Sequence, residues 1–554
     1  MIIQDDRLNS KTRLELHLNI TLPVILLLIV LGLSAFIRFD NITGQGMFGG
    51  DGFQYLKEAK LWAEGKPPDF LNNRFYRPLA YFLQGMAVKV FGFNDYSIKI
   101  LHGSMDLLSI LLIFLISTRL TKNYWTGLFS SLLYAFIPSI VRFSRYEMLQ
   151  AESTFFVLLA CFLFILFIIK ETSRLKSFIL LAFSGFVLGL AANIHGDLAF
   201  LGPGYVLALF IHSFKPGEIR NAIKKWFKHA SIFTGSFFSP YLIGFILFGF
   251  KRVVRVFLNE MLAVNGDMVI AHGQMSVLEN LKNMLSSFFV FFFRNGAGVI
   301  VTLTCGITFI IIYRKIKKEK DSAAAYLPLI LLFTYMILYS FLVHTFVDSL
   351  ARILIPLFPF LVLSITYWYY MFFKQVTGKY STLVFTCFFS IVFFLIPTVQ
   401  LDAWKNQKSH FRALYDVLKP VVNETNRVLI SPASILSYND GFRSEVYFGN
   451  NADYQVRLPI TERYNLEALT KLLEGRNIRY IYLGNQISPF FIDPKISLDN
   501  RKYYREWLRN PNFQYSLGKD LEILHEYIRN KNGTLFHKDN FGSVYYLTQA
   551  ETNQ

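Results

Sequence analysis

The chain has 554 residues, 53% hydrophobic and only 17% charged, with 58 Phe, 30 Tyr and 6 Trp. Soluble chains carry about 25% charged residues, so this composition and the positive mean hydropathy exclude a disordered chain and argue for a membrane protein. The formal net charge of +18 does not point to nucleic acid, because residues 401–554 hold 20 Lys and Arg against 17 Asp and Glu and most of the excess lies in the apolar part.

A bilayer core of about 30 Å needs roughly 20 apolar residues per crossing helix. Eleven such spans are predicted, at about 17–37, 98–118, 124–141, 153–169, 177–194, 198–213, 230–250, 286–313, 324–344, 353–372 and 381–400. The first is too long, and too weakly marked by small residues, for a removable signal peptide, and is read as an anchor. With the N-terminus in the cytoplasm, the connections on that side hold 20 Lys and Arg in 62 residues, against 14 in 117 on the other. The positive-inside bias favours this orientation, and an odd number of crossings then puts the C-terminal part outside the cytoplasm. At about residue 401 the apolar runs give way to strand-like NRVLIS and IRYIYLG alternating with helix-like LEALTKLLEG. This pattern predicts a separate extracytoplasmic α/β domain over 401–554. The predicted fold class is therefore a polytopic α-helical membrane protein, residues 1–400, with a C-terminal α/β domain. Cys161, Cys305 and Cys387 all fall in apolar runs, so neither a disulfide nor a cysteine metal site is expected. No P-loop or dinucleotide fingerprint is present.

The polar residues that hydrophobicity does not explain lie in the connections of one side. The long first connection, 38–97, contains FGGDGFQYLKEAKLWAEGK, which places Asp51 near a helix N-terminus; by itself this is an ordinary helix cap. VRFSRYEMLQAESTFF adds Arg142, Arg145, Glu147 and Glu152, which also read as interfacial anchors. The turn ANIHGDLAF supplies His195 and Asp197, and HTFVDSLARILIPLFPFLVL supplies His344, Asp348 and Arg352. Acids and bases converging on one face can deprotonate a hydroxyl and neutralise an anionic leaving group, the two needs of group transfer from a phosphate ester.

In this order of elements the chain resembles the C-type-fold (GT-C) glycosyltransferases. The marks are a short anchor, a long loop with Asp near Gly, an RPL stretch leading to KVFG, SR with acids before a Phe-rich span, and ARILIPLFPFLVL. The nearest branches are those of dolichyl-phosphate-mannose protein mannosyltransferases and of the bacterial transferase that adds aminoarabinose to lipid A. The resemblance covers about residues 17–400. It implies Asp51 as the catalytic general base for an acceptor hydroxyl attacking a polyprenyl-phosphate sugar with inversion. Many relatives have an acidic pair at that position, whereas Gly52 follows here; where they carry a second acid after the SR arginine, Gln150 stands between Glu147 and Glu152. Glu152 is taken as the second catalytic acid. Arg77, Arg145, His195 and Arg352 are the substrate-binding candidates, Arg352 being the best permanent cation for phosphate.

The expected partners are a polyprenyl-phosphate-linked sugar donor, a lipid, glycan or protein acceptor and membrane lipid, with no nucleic acid. The expected location is a bacterial inner membrane. No cofactor is assigned; Asp51 with Glu152 would offer oxygen ligands to a divalent metal, but two acids are few. Two other classes stay open: a transporter or flippase of a lipid-linked sugar, for which Asp106 and Arg294 within or near apolar spans speak, and a non-catalytic envelope assembly protein.

Overall fold

The computed structural model describes residues 20–47, 50–66, 77–169, 173–214, 219–248, 276–293, 322–342, 348–384, 386–387, 410–423, 425–430, 455–456, 466–484, 524–538 and 542–547. Its apolar segments are helical because a helix satisfies each backbone amide within the segment, as a hydrocarbon environment requires. α1 (Leu22–Phe39) is followed by two amphipathic helices in the long connection, α2 (Gly50–Ala63) and α3 (Pro78–Phe91). Then come α4 (Ser97–Thr121), α5 (Tyr124–Ala135), α6 (Pro138–Ser144), α7 (Gln150–Ile169), α8 (Arg174–Ile194), α9 (Leu201–Ser213) and α10 (Ile219–Phe248). α11 (Val277–Phe293), α12 (Ser322–Leu342) and α13 (Phe358–Thr377) complete the helical part. Among the described residues five helices are long and apolar enough to cross a membrane, or six spans if one bent pair is a single crossing. The chain is a multi-pass membrane protein. The spans expected at 286–313 and 381–400 lie largely outside the described residues.

Two expected spans differ in form. The run at 124–141 is not one helix but α5 and α6, which meet at 67°. Pro138 has no N–H to continue the ladder and forces the residue before it out of the helical region; Ile137 is accordingly extended, at φ −62° and ψ 121°. The run at 198–213 opens as a 3-10 turn, Gly196–Phe200, before α9 begins. A second 3-10 helix, Asp348–Leu357, leads into α13, and the span Ile353–Thr377 is almost wholly buried in the bundle.

α2 and α3 lie against each other over one end of the bundle, and α3 also touches α4 and α8. Gly85 permits this, since a Cβ there would stand 2.8 Å from Cβ of Trp62. On the α2–α3 layer sits a C-terminal sheet: β1 (Arg427–Ile430), β2 (Gln455–Val456), β3 (Ile478–Gly484), β4 (Thr534–Lys538) and β5 (Gly542–Tyr546), in the order β2-β1-β3-β5-β4. β1 runs parallel to β2 and β3; β5 is antiparallel to β3 and β4. Successive side chains of a strand point to opposite faces. In β3, Tyr480 and Tyr482 therefore join α14 (His410–Leu418), through Leu414, Tyr415 and Leu418, in one core with Tyr55, Leu56 and Tyr81 of the α2–α3 layer. Ile481 and Leu483 turn the other way, onto Leu473 of α15 (Leu466–Glu474) and Leu524, Tyr527 and Ile528.

Gly185 and Gly189, one turn apart on α8, let that helix approach α10 so closely that a Cβ at either would collide with the carbonyl of Phe233 or Phe237. Without a hydrophobic driving force between helices in lipid, such small-residue contacts carry much of the association. Gly189→Leu should overpack this crossing and destabilise the detergent-solubilised protein by about 1–3 kcal/mol, seen as a lower midpoint of thermal unfolding. An equal substitution at Gly202, where nothing lies within 4 Å of a built Cβ, should leave the midpoint in place.

Candidate functional site

The site is organised by three ionisable residues of α4, Lys99, His102 and Asp106, spaced at i, i+3 and i+7 and all buried. That spacing puts them on one helix face. Each meets a different element. Asp106 receives Arg38, in the last turn of α1, at 2.5 Å and the Tyr134 hydroxyl at 2.8 Å. Arg38 also donates to the carbonyls of Ser34 and, at 3.1 Å, of Ala135, which ends α5 at the bend. Asp106, one of the two residues that suggested transport, is thus engaged in joining two helix ends.

His102 faces Glu152, in the first turn of α7, with Nε2 2.9 Å from Oε1; its Nδ1 lies 2.6 Å from the carbonyl oxygen of Tyr146. Both ring nitrogens meet acceptors, so a proton is held between His102 and Glu152. Gln84 of α3 donates to the same Glu152 oxygen at 3.0 Å. The acid preferred from sequence is therefore fully buried and held by α3 and α4.

Lys99 pairs at 3.0 Å with Glu147, both side chains being inaccessible, and donates to the carbonyl of Gly46. Glu147 in turn lies against the start of α2. A Cβ on Gly52 would stand 2.7 Å from Cβ and 3.2 Å from Oε2 of Glu147. Asp51, in the first turn of α2, is thus one residue from a close backbone contact with Glu147, and Gly52 is the residue that admits it. Asp95 stands nearby, 3.4 Å from Arg412 of α14. Burial raises its carboxyl above the ordinary range, with Glu147 adding to the shift and Lys99 and Arg412 opposing it.

A second cluster lies beside the first. Arg77 precedes α3, whose first turn is fixed by Asn193 of α8 accepting the Leu79 N–H at 3.2 Å. The Arg77 guanidinium donates to the Tyr55 hydroxyl at 2.8 Å and lies over that ring. His195 bonds through Nδ1 to Asp197, and Tyr335 of α12 donates to the other Asp197 oxygen at 2.5 Å. Burial would raise the Asp197 carboxyl, but His195, Tyr335 and Arg77 outweigh it and hold the group below its ordinary value. From Ala199, two residues beyond Asp197, an apolar crevice of about 620 Å³ runs between α9 and α10, lined by Pro203, Val206, Phe237 and Tyr241 among others.

The remaining sequence candidates are placed differently. Arg145 donates to the carbonyls of Ile37 and, at 2.7 Å, Asp40, which terminate α1; burial pushes its guanidinium down to about 10, with Asp40 opposing and Arg38 adding to the shift, so it remains charged at neutral pH. It serves a helix end rather than joining Arg77 and His195. Arg142 stacks on Tyr146 and bonds its hydroxyl at 2.9 Å. Arg352 lies in the 3-10 helix before α13, as does Asp348; His344 and Arg294 lie outside the described residues. Among the described residues no three His, Cys, Asp or Glu side chains come close enough to hold a metal ion. Glu147 and Glu152 each face a cationic or hydrogen-bond-donating partner. Sequence reasoning passed over Lys99, His102, Gln84 and Tyr335. For the first two the signal was there, a polar stripe at helical spacing on an apolar helix.

The sequence pattern of the dolichyl-phosphate-mannose-protein mannosyltransferase family matches residues 76–243. An undecaprenyl phosphate-α-4-amino-4-deoxy-L-arabinose arabinosyl transferase of Pseudomonas aeruginosa is 31% identical over 185 residues, 32% of this chain and 33% of that protein. The chain thus matches about a third of the length of this curated relative. Among solved structures, ArnT from Cupriavidus metallidurans bound to undecaprenyl phosphate superposes with a TM-score of 0.54 at 11% identity, covering 95% of this chain and 98% of that one. The Archaeoglobus fulgidus oligosaccharyltransferase tethered to an acceptor peptide gives 0.51 at 11% identity, over 96% and 75%. This chain has the C-type glycosyltransferase fold.

Lys99→Met should leave Glu147 buried without its countercharge, destabilising the protein by about 3–5 kcal/mol, whereas Lys99→Met with Glu147→Met should recover most of that loss. Thermal unfolding of the single and double variants in detergent measures both.

Proposed function

We propose that this chain is a membrane glycosyltransferase that takes a monosaccharide from a polyprenyl-phosphate donor and passes it, with inversion, to a hydroxyl of a lipid, glycan or protein acceptor. The reaction is assigned to the outer side of a bacterial inner membrane, with the N-terminus cytoplasmic and the C-terminal sheet over the site as a cover or acceptor platform. The observation that carries this reading is the convergence at one end of an apolar bundle. The Asp51 turn, the two acids Glu147 and Glu152, and the Arg77–His195–Asp197 cluster are held together there by α2 and α3. The apolar crevice beginning at Ala199 supports a lipid-linked donor, since a polyprenyl chain lies in it at no solvation cost while its phosphate reaches the polar cluster. The similarity to the arabinosyl transferase and the shared fold support the same reading.

In this scheme the acceptor hydroxyl gives its proton to Asp51 as its oxygen attacks the anomeric carbon, because a neutral hydroxyl is a poor nucleophile. The bond from that carbon to the phosphate oxygen breaks on the opposite face, and a single displacement inverts configuration. Arg77 and Arg352 offer the positive charge that the departing phosphate needs, as guanidinium does by paired hydrogen bonds. Glu147 and Glu152 hold the Asp51 turn and α7 in place.

The test follows donor consumption and product formation by the purified protein in lipid, using radiolabelled undecaprenyl-phosphate sugars. Asp51→Asn keeps the shape of the side chain and removes the base, so turnover should fall by at least about 100-fold with the thermal midpoint unchanged. Turnover equal to wild type would reject Asp51 as base. Consumption of no donor by wild type, with the labelled lipid crossing proteoliposome membranes instead, would replace transfer by transport.

A further inference from the structure

His195 is not a freely rotating surface imidazole. It sits at the abrupt turn from α8 into the 3-10 segment, and Asp197, two residues on, takes its Nδ1–H. Asp197 is itself fixed from another element by the Tyr335 hydroxyl at 2.5 Å. A histidine whose Nδ1 donates to an anchored carboxylate has its tautomer and ring direction set, and the opposite nitrogen is the one presented outward. Nε2 has no partner among the described residues, and the side chain keeps 18% of its surface accessible.

The cluster around this ring draws on three elements. The ring itself meets Asp197 on its own turn, and Asp197 in turn interacts with Arg77 at the head of α3 and with Tyr335 and Tyr339 on α12. The cluster thus joins an imidazole and a carboxylate with a permanent guanidinium cation. This differs from a plain cation site: guanidinium neutralises a phosphate but does not give up a proton near neutral pH, whereas an imidazolium does. Transfer from a phosphodiester creates that need. The donor carries one negative charge on phosphorus, and the lipid monophosphate it leaves carries up to two, its second ionisation lying near about pH 6.

We propose that His195 is the proton donor to the phosphate that leaves the sugar, with Asp197 and Tyr335 as its positioning residues; this rests on the transferase reading above. The bond between the anomeric carbon and the phosphate oxygen breaks, its electron pair staying on that oxygen, and Nε2–H passes to the phosphate. The acceptor oxygen forms the new bond to the anomeric carbon as its proton goes to Asp51. The products are the glycoside, the lipid phosphate monoanion, neutral His195 and protonated Asp51. Exchange with water returns the proton from Asp51 to His195, so no other reactant is required.

The experiment measures turnover of undecaprenyl-phosphate sugars by wild type, His195→Lys, His195→Gln and Asp197→Asn from mildly acidic to alkaline pH, with thermal midpoints as the folding control. Wild type should lose activity on the alkaline side as the imidazolium deprotonates. His195→Gln should fall by about 100-fold or more. His195→Lys should lose rate but keep no alkaline limb in that range, since its ammonium stays protonated and is the weaker acid. Asp197→Asn should move the limb to lower pH, and added imidazole should partly restore His195→Gln. A His195→Lys profile that superimposes on wild type, or a His195→Gln variant that turns over normally, would overturn the proposal while leaving the transferase standing. Wild type that consumes no donor would overturn both, and the Asp51→Asn comparison separates that outcome from loss of His195 function alone.

Discussion

Three ionisable side chains on one face of α4 set the terms for the rest of the molecule. Lys99, His102 and Asp106 are buried in an apolar bundle, where each unpaired charge would cost several kcal/mol. Each is tolerable only if a specific partner arrives: Glu147 from the segment between α6 and α7, Glu152 from α7, and Arg38 from α1. The need to pair therefore fixes the depth and rotation of three neighbours against one helix. Hydrophobic packing alone would leave those registers loosely specified, since lipid-facing and helix-facing apolar residues are interchangeable to the solvent.

The consequence reaches the site through Gly52. Because Lys99 holds Glu147, and Glu147 occupies the space where a side chain at position 52 would project, the Asp51 turn has a fixed seat on the bundle. Arg77 is seated by a different device, the cap that Asn193 gives to α3. Acid and cation clusters thus belong to separate supports, α4 and the α8–α9 turn, bridged by the α2–α3 pair. The bend at Pro138 serves the same end, because it breaks α5 from α6 and frees the carbonyl of Ala135 that Arg38 then takes.

The C-terminal sheet adds a third layer by having two apolar faces. Tyr480 and Tyr482 pack towards α2 and α3, while Ile481 and Leu483 pack towards the sheet's own helices. Docking the sheet through α14 and the Arg412–Asp95 pair buries the solvent side of the α2–α3 layer. The connection that carries Asp51 is therefore held from below by α4 and from above by the sheet.

The apolar runs were legible in the sequence because their periodicity and length follow from bilayer thickness, and the alternation after residue 401 announced strands and helices. Asp51 near a helix start, and His195 beside Asp197 at a turn, were legible because Gly-flanked acids and abrupt polar turns are local features. The partners were not. That Glu147 stands against Gly52 while Glu152 goes to His102 depends on how α4 and α7 cross, and two acids five residues apart look alike until that crossing is known. Arg145 read as a substrate-binding candidate because its charge was visible and the open end of α1 was not. Sequence by itself determined which segments are apolar enough to enter a membrane and which polar residue types stand in the connections between them. Tertiary structure alone decided which charge meets which, because ion pairing acts over a few ångströms between segments that the chain brings together from as many as 317 residues apart.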